Sequence, residues 1–158
     1  MKGPGSDRGG GSVPVRELSA GVVVVRETPS VCLYLLLRAY SYWDFPKGRV
    51  EEGETPLEGA WREVYEETRI DDLELPWGQE YIETPPYARG KVARYYVGRT
   101  READIVLPVS PDLGRPEHHE YRWLPYSRAR RLLVDRVARV LDWAHDVSGC
   151  KGRVGEGP

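Results

Sequence analysis

Apolar residues change their spacing twice along this chain. Residues 20–26 (Ala-Gly-Val-Val-Val-Val-Arg) and 31–37 (Val-Cys-Leu-Tyr-Leu-Leu-Leu) are β-branched and apolar runs separated by Glu27-Thr28-Pro29-Ser30. Runs of that length around a turn signal predict two strands, and the lack of polar alternation predicts that both faces of each are buried. From Thr55 onward the spacing moves to three and four. Leu57, Ala60, Trp61, Val64 and Thr68 gather within an arc of about 100° on a helix, which predicts one face packed on the sheet. That helix starts at Thr55-Pro56-Leu57-Glu58, which combines a capping hydroxyl, a proline in the first turn and a reciprocal glutamate. Shorter strands are predicted at 80–84, 91–97, 105–107 and 120–124, bounded by Pro85-Pro86 and the proline-containing stretch 108–116. The helical spacing returns with Ala129, Leu132, Leu133, Val137, Val140, Leu141 and Ala144, predicting a helix over 127–146 with a break near Asp135, itself a candidate cap.

Strands, a helix, more strands and a last helix, with no internal repeat, predict an α+β fold: an α/β/α sandwich whose mixed β-sheet is flanked by helices. At 158 residues the chain fits one domain, placed at 15–147. The Gly-rich, polar segments 1–14 and 148–158 bury too little apolar surface to offset their ordering entropy and are expected to be mobile tails. No run of about 18 apolar residues and no apolar signal core at the N-terminus is found, so a soluble, cytoplasmic protein without membrane contact is expected. A net charge of −2 makes DNA an unexpected partner, and any anion site must be local. Cys32 lies in an apolar run and Cys150 in a Gly-flanked tail, without metal or redox spacing. Two separate thiols in a reducing compartment are therefore expected, ahead of a long-range disulfide. Asn is absent, Gln79 is the only Gln and Arg far outnumbers Lys, which suits a thermophilic protein as well as a GC-rich genome. Oligomeric state leaves no signature.

The first helix carries the candidate chemistry. Glu63, Glu66 and Glu67 fall at i, i+3 and i+4, which crowds three carboxylates into one patch with Cβ atoms about 5–6 Å apart. Hard oxygen ligands so grouped suit Mg²⁺ or Mn²⁺. Taken alone, the helix reads equally as a solvated glutamate face eased by Arg62, which can pair with Glu58 and Glu66. The Gly-rich acidic loop Gly48-Arg49-Val50-Glu51-Glu52-Gly53-Glu54 that feeds it shifts the balance towards a metal site.

Residues 48–70 resemble the Nudix box: Gly48, five residues, Glu54, seven residues, then Arg62-Glu63-Val64, Glu66-Glu67 and Ile70. Arg69 departs from the pattern, standing where the family has a glycine that supplies a left-handed helix cap. The resemblance implies a hydrolase in which Glu63, Glu66, Glu67 and the Gly48 carbonyl hold the metal, while Glu54 and Arg62 orient the loop and the ligands. A further family acid that joins the metal lies just before a later strand, and Glu120 matches that place. Glu63, Glu67 and Glu120 are all candidate general bases.

Trp43-Asp44-Phe45-Pro46-Lys47-Gly48 and Tyr121-Arg122-Trp123-Leu124 are similar to the diadenosine tetraphosphate hydrolase subgroup. That likeness implies asymmetric cleavage of diadenosine tetraphosphate to ATP and AMP by metal-activated water. Nucleoside triphosphates, ADP-ribose and 5′-triphosphate RNA stay open as substrates, as does a nucleotide-sensing module that binds without cleaving. Lys47 and Lys91 are candidate phosphate contacts, and Tyr87 and Tyr42 are candidate stacking faces for a base. His118 and His119 either touch phosphate or cap a strand.

Overall fold

The computed structural model describes residues 17–150; the segments 1–16 and 151–158, which hold most of the expected tails, lie outside the described residues. The elements run β1 (Glu17–Glu27), β2 (Cys32–Ala39), β3 (Tyr42–Asp44), β4 (Lys47–Arg49), α1 (Pro56–Thr68), β5 (Ile82–Glu83), β6 (Lys91–Arg99), β7 (Glu120–Leu124), α2 (Tyr126–Leu132) and α3 (Asp135–Val147). The sheet order is β3-β2-β1-β6-β5, with β4 also paired to β1 and β7 to β2. β1 and β6 are parallel, in a register that sets Val22 against Tyr96 and Val24 against Gly98, and the other pairs are antiparallel. The sheet is therefore mixed, as expected.

Alternate side chains of the central strands face opposite layers. Val23, Val25, Tyr34, Leu36, Tyr95 and Val97 pack against Ala129, Val137, Val140, Leu141 and Ala144 of α2 and α3. Ala20, Val22, Val24, Leu35, Leu37 and Tyr96 pack against Ala60 and Val64 of α1. Val22 to Val25 and Leu35 to Leu37 are all fully buried, which is why their stretches lack polar alternation. The α/β/α sandwich follows from these two layers.

Four expectations change. No strand forms at 105–107: Ile105 is buried and the Val106 N–H donates to the Thr68 carbonyl (3.2 Å), but no ladder is made. The second helical stretch breaks near Asp135 as expected, into α2 and α3, but Val134 rather than Asp135 takes the N-cap position and no side chain caps it. The two cysteines are not separate thiols: Cys32 and Cys150 form a disulfide with Cα atoms 6.0 Å apart. Residues 148–150 are accordingly packed, Ser148 and Cys150 being buried, where a mobile tail was expected from 148. Spacing in sequence could not reveal this pair, because only the return of α3 over the sheet brings the chain end back to the start of β2.

At its start, α1 is capped by Thr55, whose hydroxyl accepts the Glu58 N–H (3.1 Å) while Glu58 accepts the Thr55 N–H (2.9 Å). At its end Arg69 adopts the left-handed conformation (φ 63°, ψ 15°), and its N–H closes the last turn on the Tyr65 carbonyl at 2.9 Å. Its guanidinium lies 5.0 Å from the Tyr65 ring. A Cβ in that conformation costs on the order of 1 kcal/mol, partly offset here by the ring contact and by the freer unfolded chain of a glycine variant. Arg69→Gly is therefore expected to raise stability by roughly 0.5 kcal/mol in urea titrations.

Candidate active site

The carboxylates of α1 do not share one environment. Glu67 is buried, with 7% of its surface exposed, Glu63 is nearly as enclosed, and Glu66 reaches solvent. The difference follows from the helix angle: Glu67 is next to the sheet-facing Val64 and Thr68, whereas Glu66 points away. The β4 backbone lies across the helix, and the Lys47 N–H donates to Glu67 Oε1 at 3.2 Å. Gly48 comes so close that a Cβ there would collide with the Glu63 carboxylate, so any side chain at this position would push that carboxylate out of its place. Gly21 plays the matching part on β1, where a Cβ would strike the Pro46 carbonyl and Lys47.

Arg62 ties the acidic loop to the helix. Its Nε and Nη2 donate to the two oxygens of Glu54 (2.6 and 3.0 Å), and Nη2 also donates to the Arg49 carbonyl (3.0 Å). Its Nη1 reaches Glu63 (2.9 Å) and Glu66 (3.1 Å). Glu58, the other partner open to it from spacing, is engaged in the helix cap instead. Hydrogen bonding to Arg62 holds the Glu54 carboxyl down to about 2, so Glu54 stays charged and fixes the loop.

Glu67 faces Glu117, which no motif marked, and His118, one of the two histidines read as a phosphate contact or a strand cap. One potential ligand atom from each of the three lies within 4.8 Å of the others. Burial, then the charges of Glu117 and Glu63, push the Glu67 carboxyl well above its ordinary value. Glu63 is raised by burial as well, against the pull of Arg62. Burial and the nearby Lys47 and His119 lower His118 to about 4, which leaves its imidazole neutral and able to act as a ligand or acceptor at neutral pH. Crowded, desolvated carboxylates beside a neutral imidazole are a donor set that fits a divalent cation. The structure places Glu120 elsewhere: its two oxygens accept from Arg38 Nε (2.9 Å) and Arg122 Nε (2.7 Å). Glu117 was hidden because it belongs to the irregular segment after the prolines of 108–116, where no periodicity orients a side chain.

A cavity of ≈ 380 Å³ opens over Glu63, Glu66 and Glu67 and is walled by Arg69, 107–112, Glu117 and His118. A second, of ≈ 160 Å³, is lined by Tyr42, Asp44, Phe45 and Lys47 together with the same Glu117 and His118. The pair Glu117–His118 thus stands between an acidic chamber and one that contains a lysine. Burial opposes charge on Lys47, but Asp44, with Oδ2 3.8 Å from Nζ, then Tyr87, Tyr42 and Glu67 raise its pKa and keep it protonated. Tyr42 and Tyr87 are half-buried beside the core. Lys91, at the start of β6, is exposed and exchanges backbone hydrogen bonds with Tyr87. His119 packs edge-on to Tyr40 (5.0 Å), and its N–H donates to the Arg38 carbonyl. Neither Lys91 nor His119 lines the two cavities.

Residues 15–144 match the NUDIX domain. The chain belongs to that family. Among NUDIX relatives, an RNA pyrophosphohydrolase of Bartonella henselae is 29% identical over 128 residues, which are 72% of this chain and 74% of that protein. An asymmetrical bis(5′-nucleosyl)-tetraphosphatase of Sus scrofa is 32% identical over 105 residues, 63% of this chain and 68% of that one. In three dimensions, a C. elegans Ap4A hydrolase in a binary complex superposes with a TM-score of 0.70 at 24% identity, covering 85% of this chain and 99% of the other. The NUDIX match and relatives named as pyrophosphohydrolases and tetraphosphatases identify the protein as a hydrolase. No helix among the described residues is long and apolar enough to cross a membrane.

Proposed function

We propose that this NUDIX hydrolase cleaves diadenosine tetraphosphate asymmetrically, to ATP and AMP, with Mg²⁺ or Mn²⁺ held by Glu63, Glu67 and Glu117 and assisted by the Gly48 carbonyl, Glu66 and His118. The observation that carries this reading is the protonated Lys47, which shares a cavity wall with Glu117 and His118 and so sets a cation beside the acidic chamber. A polyphosphate chain needs both features: a metal where charge develops at the scissile anhydride, and a fixed positive group further along. When bound, the ion would neutralise phosphate oxygens and acidify the attacking water.

The protein's own groups do the rest. Glu54 and Arg62 hold the acidic loop on α1, and the Lys47 N–H and the Gly48 approach hold Glu67 and Glu63 in place. Glu67 is the preferred proton acceptor, because burial and the neighbouring charges of Glu117 and Glu63 raise its basicity. Glu120, engaged by two arginines, braces β7 and is the less suitable base. Tyr87 and Tyr42 flank the Lys47 chamber as base-stacking faces, and Lys91 and His119 are outlying contacts for a long substrate.

A second reading, hydrolysis of the 5′ end of RNA, draws support from the pyrophosphohydrolase relative, which aligns over more of the chain than the tetraphosphatase. Diadenosine tetraphosphate, ATP, ADP-ribose and 5′-triphosphorylated RNA, each incubated with Mg²⁺ in ¹⁸O water and resolved by mass spectrometry, separate the possibilities. Labelled AMP or ATP from diadenosine tetraphosphate at the highest kcat/KM is the expected result. Preferred release of pyrophosphate from RNA would transfer the assignment to the second reading, and tight binding without turnover would make the protein a nucleotide sensor.

A further inference from the structure

Beyond the Lys47 chamber stands a cation that no motif or comparison marks. Arg136, in the first turn of α3, stacks its guanidinium 3.8 Å from the centre of the Tyr87 ring. Its Nη2 donates to the Tyr42 hydroxyl at 2.8 Å. Its Nη1 is buried and has no hydrogen-bond partner among the described residues. Across the same group, Asp44 is buried; its Oδ1 accepts from the Phe45 N–H (2.7 Å) and the Tyr95 hydroxyl (2.9 Å), while Oδ2, 3.8 Å from Lys47 Nζ, accepts no hydrogen bond among the described residues. Lys47 and Arg136 share Asp44, Tyr42 and Tyr87 as electrostatic or stacking neighbours.

Leaving a buried guanidinium N–H unfilled costs free energy, and structures tolerate it where a ligand completes the set. Here two cations, Lys47 and Arg136, converge on one buried carboxylate, Asp44, while Glu67 also neighbours Lys47 and Glu117 shares its chamber. The Tyr87 stack and the Tyr42 hydroxyl fix the plane of the guanidinium in advance, so little side-chain freedom is lost on binding an anion. Nothing in the layer packing requires an arginine at this position: α3 is held by Val137, Val140, Leu141 and Ala144.

We propose that Arg136 and Lys47 form an anion subsite that takes a phosphate group of the substrate chain beyond the one at Glu67, Glu117 and His118, so that α3 measures chain length. This rests on the reading of the cleft as a polyphosphate hydrolase site, but it can be tested without hydrolysis.

The probe is inorganic tripolyphosphate in EDTA, where the glutamate cluster has no metal with which to bind it. Isothermal titration and the ligand-induced rise in melting temperature are measured for the wild type, Arg136→Gln, Arg136→Lys and the exposed control Arg89→Gln. The wild type and the control should bind alike, Arg136→Gln should bind at least about tenfold more weakly and lose the induced rise, and Arg136→Lys should recover part of both. In turnover assays on diadenosine tetraphosphate, Arg136→Gln should raise KM with kcat held. A purely structural Arg136 would lower the starting melting temperature yet leave the ligand-induced rise intact, and that result overturns the proposal. So does absence of tripolyphosphate binding to the wild type. Binding that depends on Arg136 in a protein that spares diadenosine tetraphosphate would uphold the subsite and reject the substrate.

Discussion

Replacing Glu67 by Gln is expected to cut Mg²⁺-dependent turnover by about three orders of magnitude or more, and at the same time to raise the melting temperature of the metal-free protein. The two effects have one cause. In the folded chain Glu67 is desolvated and faces Glu117 and Glu63, so its ionised form is disfavoured. A group whose folded pKa is raised binds more protons folded than unfolded between the two values. Stability therefore falls as pH rises from the unfolded carboxyl value near 4.5 through the raised folded one, and above that the loss is complete. The amide removes the charge and with it this slope. Subtracting the wild-type from the variant melting curve across pH 4–8 in EDTA should give a difference that grows with pH, and saturating Mg²⁺ should abolish it by stabilising only the wild type. A flat difference, or near-normal turnover by the folded variant, would refute Glu67 as the centre of the site.

The second large effect concerns the disulfide. Joining Cys32 to Cys150 closes a loop with a sequence separation of 118, and the chain-entropy relation assigns such a crosslink about 5 kcal/mol against the unfolded state. Cys150→Ser, or reduction of the wild type, should accordingly lower stability by roughly 3–5 kcal/mol and the melting temperature by about 8–15 °C, read by calorimetry with and without reductant. Turnover at 25 °C should be kept, because the bridge lies at the start of β2 while Leu37 and Ala39, at its other end, line the cleft. An unchanged melting temperature on full reduction would remove the bridge from the account of stability.

The legible parts of the sequence were those where one segment decides its own environment. The unbroken apolar runs of β1 and β2 gave two-faced burial, and Thr55 to Glu58 gave the cap of α1 and hence the angular positions of Glu63, Glu66 and Glu67. Arg69 holds the left-handed cap conformation that the missing glycine would have taken, since the Tyr65 carbonyl still closes on its N–H. What stayed hidden depends on distant segments meeting. β3 and β4 are three residues each and exist through pairing with β2 and β1, so no periodicity could show them. Glu117 and Glu120 differ in sequence by one short step, yet Arg38 and Arg122 capture one while the other is left beside Glu67. Arg136 carries no mark in the helical spacing, because Tyr42 and Tyr87 meet it from other parts of the chain.

Glu117 and His118 form a single partition with an acidic chamber on one side and a lysine chamber on the other, so in the proposed hydrolase reactivity and grip are mechanically married at those two positions. Drift there would alter how fast and how tightly together, which leaves Lys47 and the outer turn of α3 as the places where this scaffold can exchange one phosphorylated compound for another without disturbing its bond-breaking half.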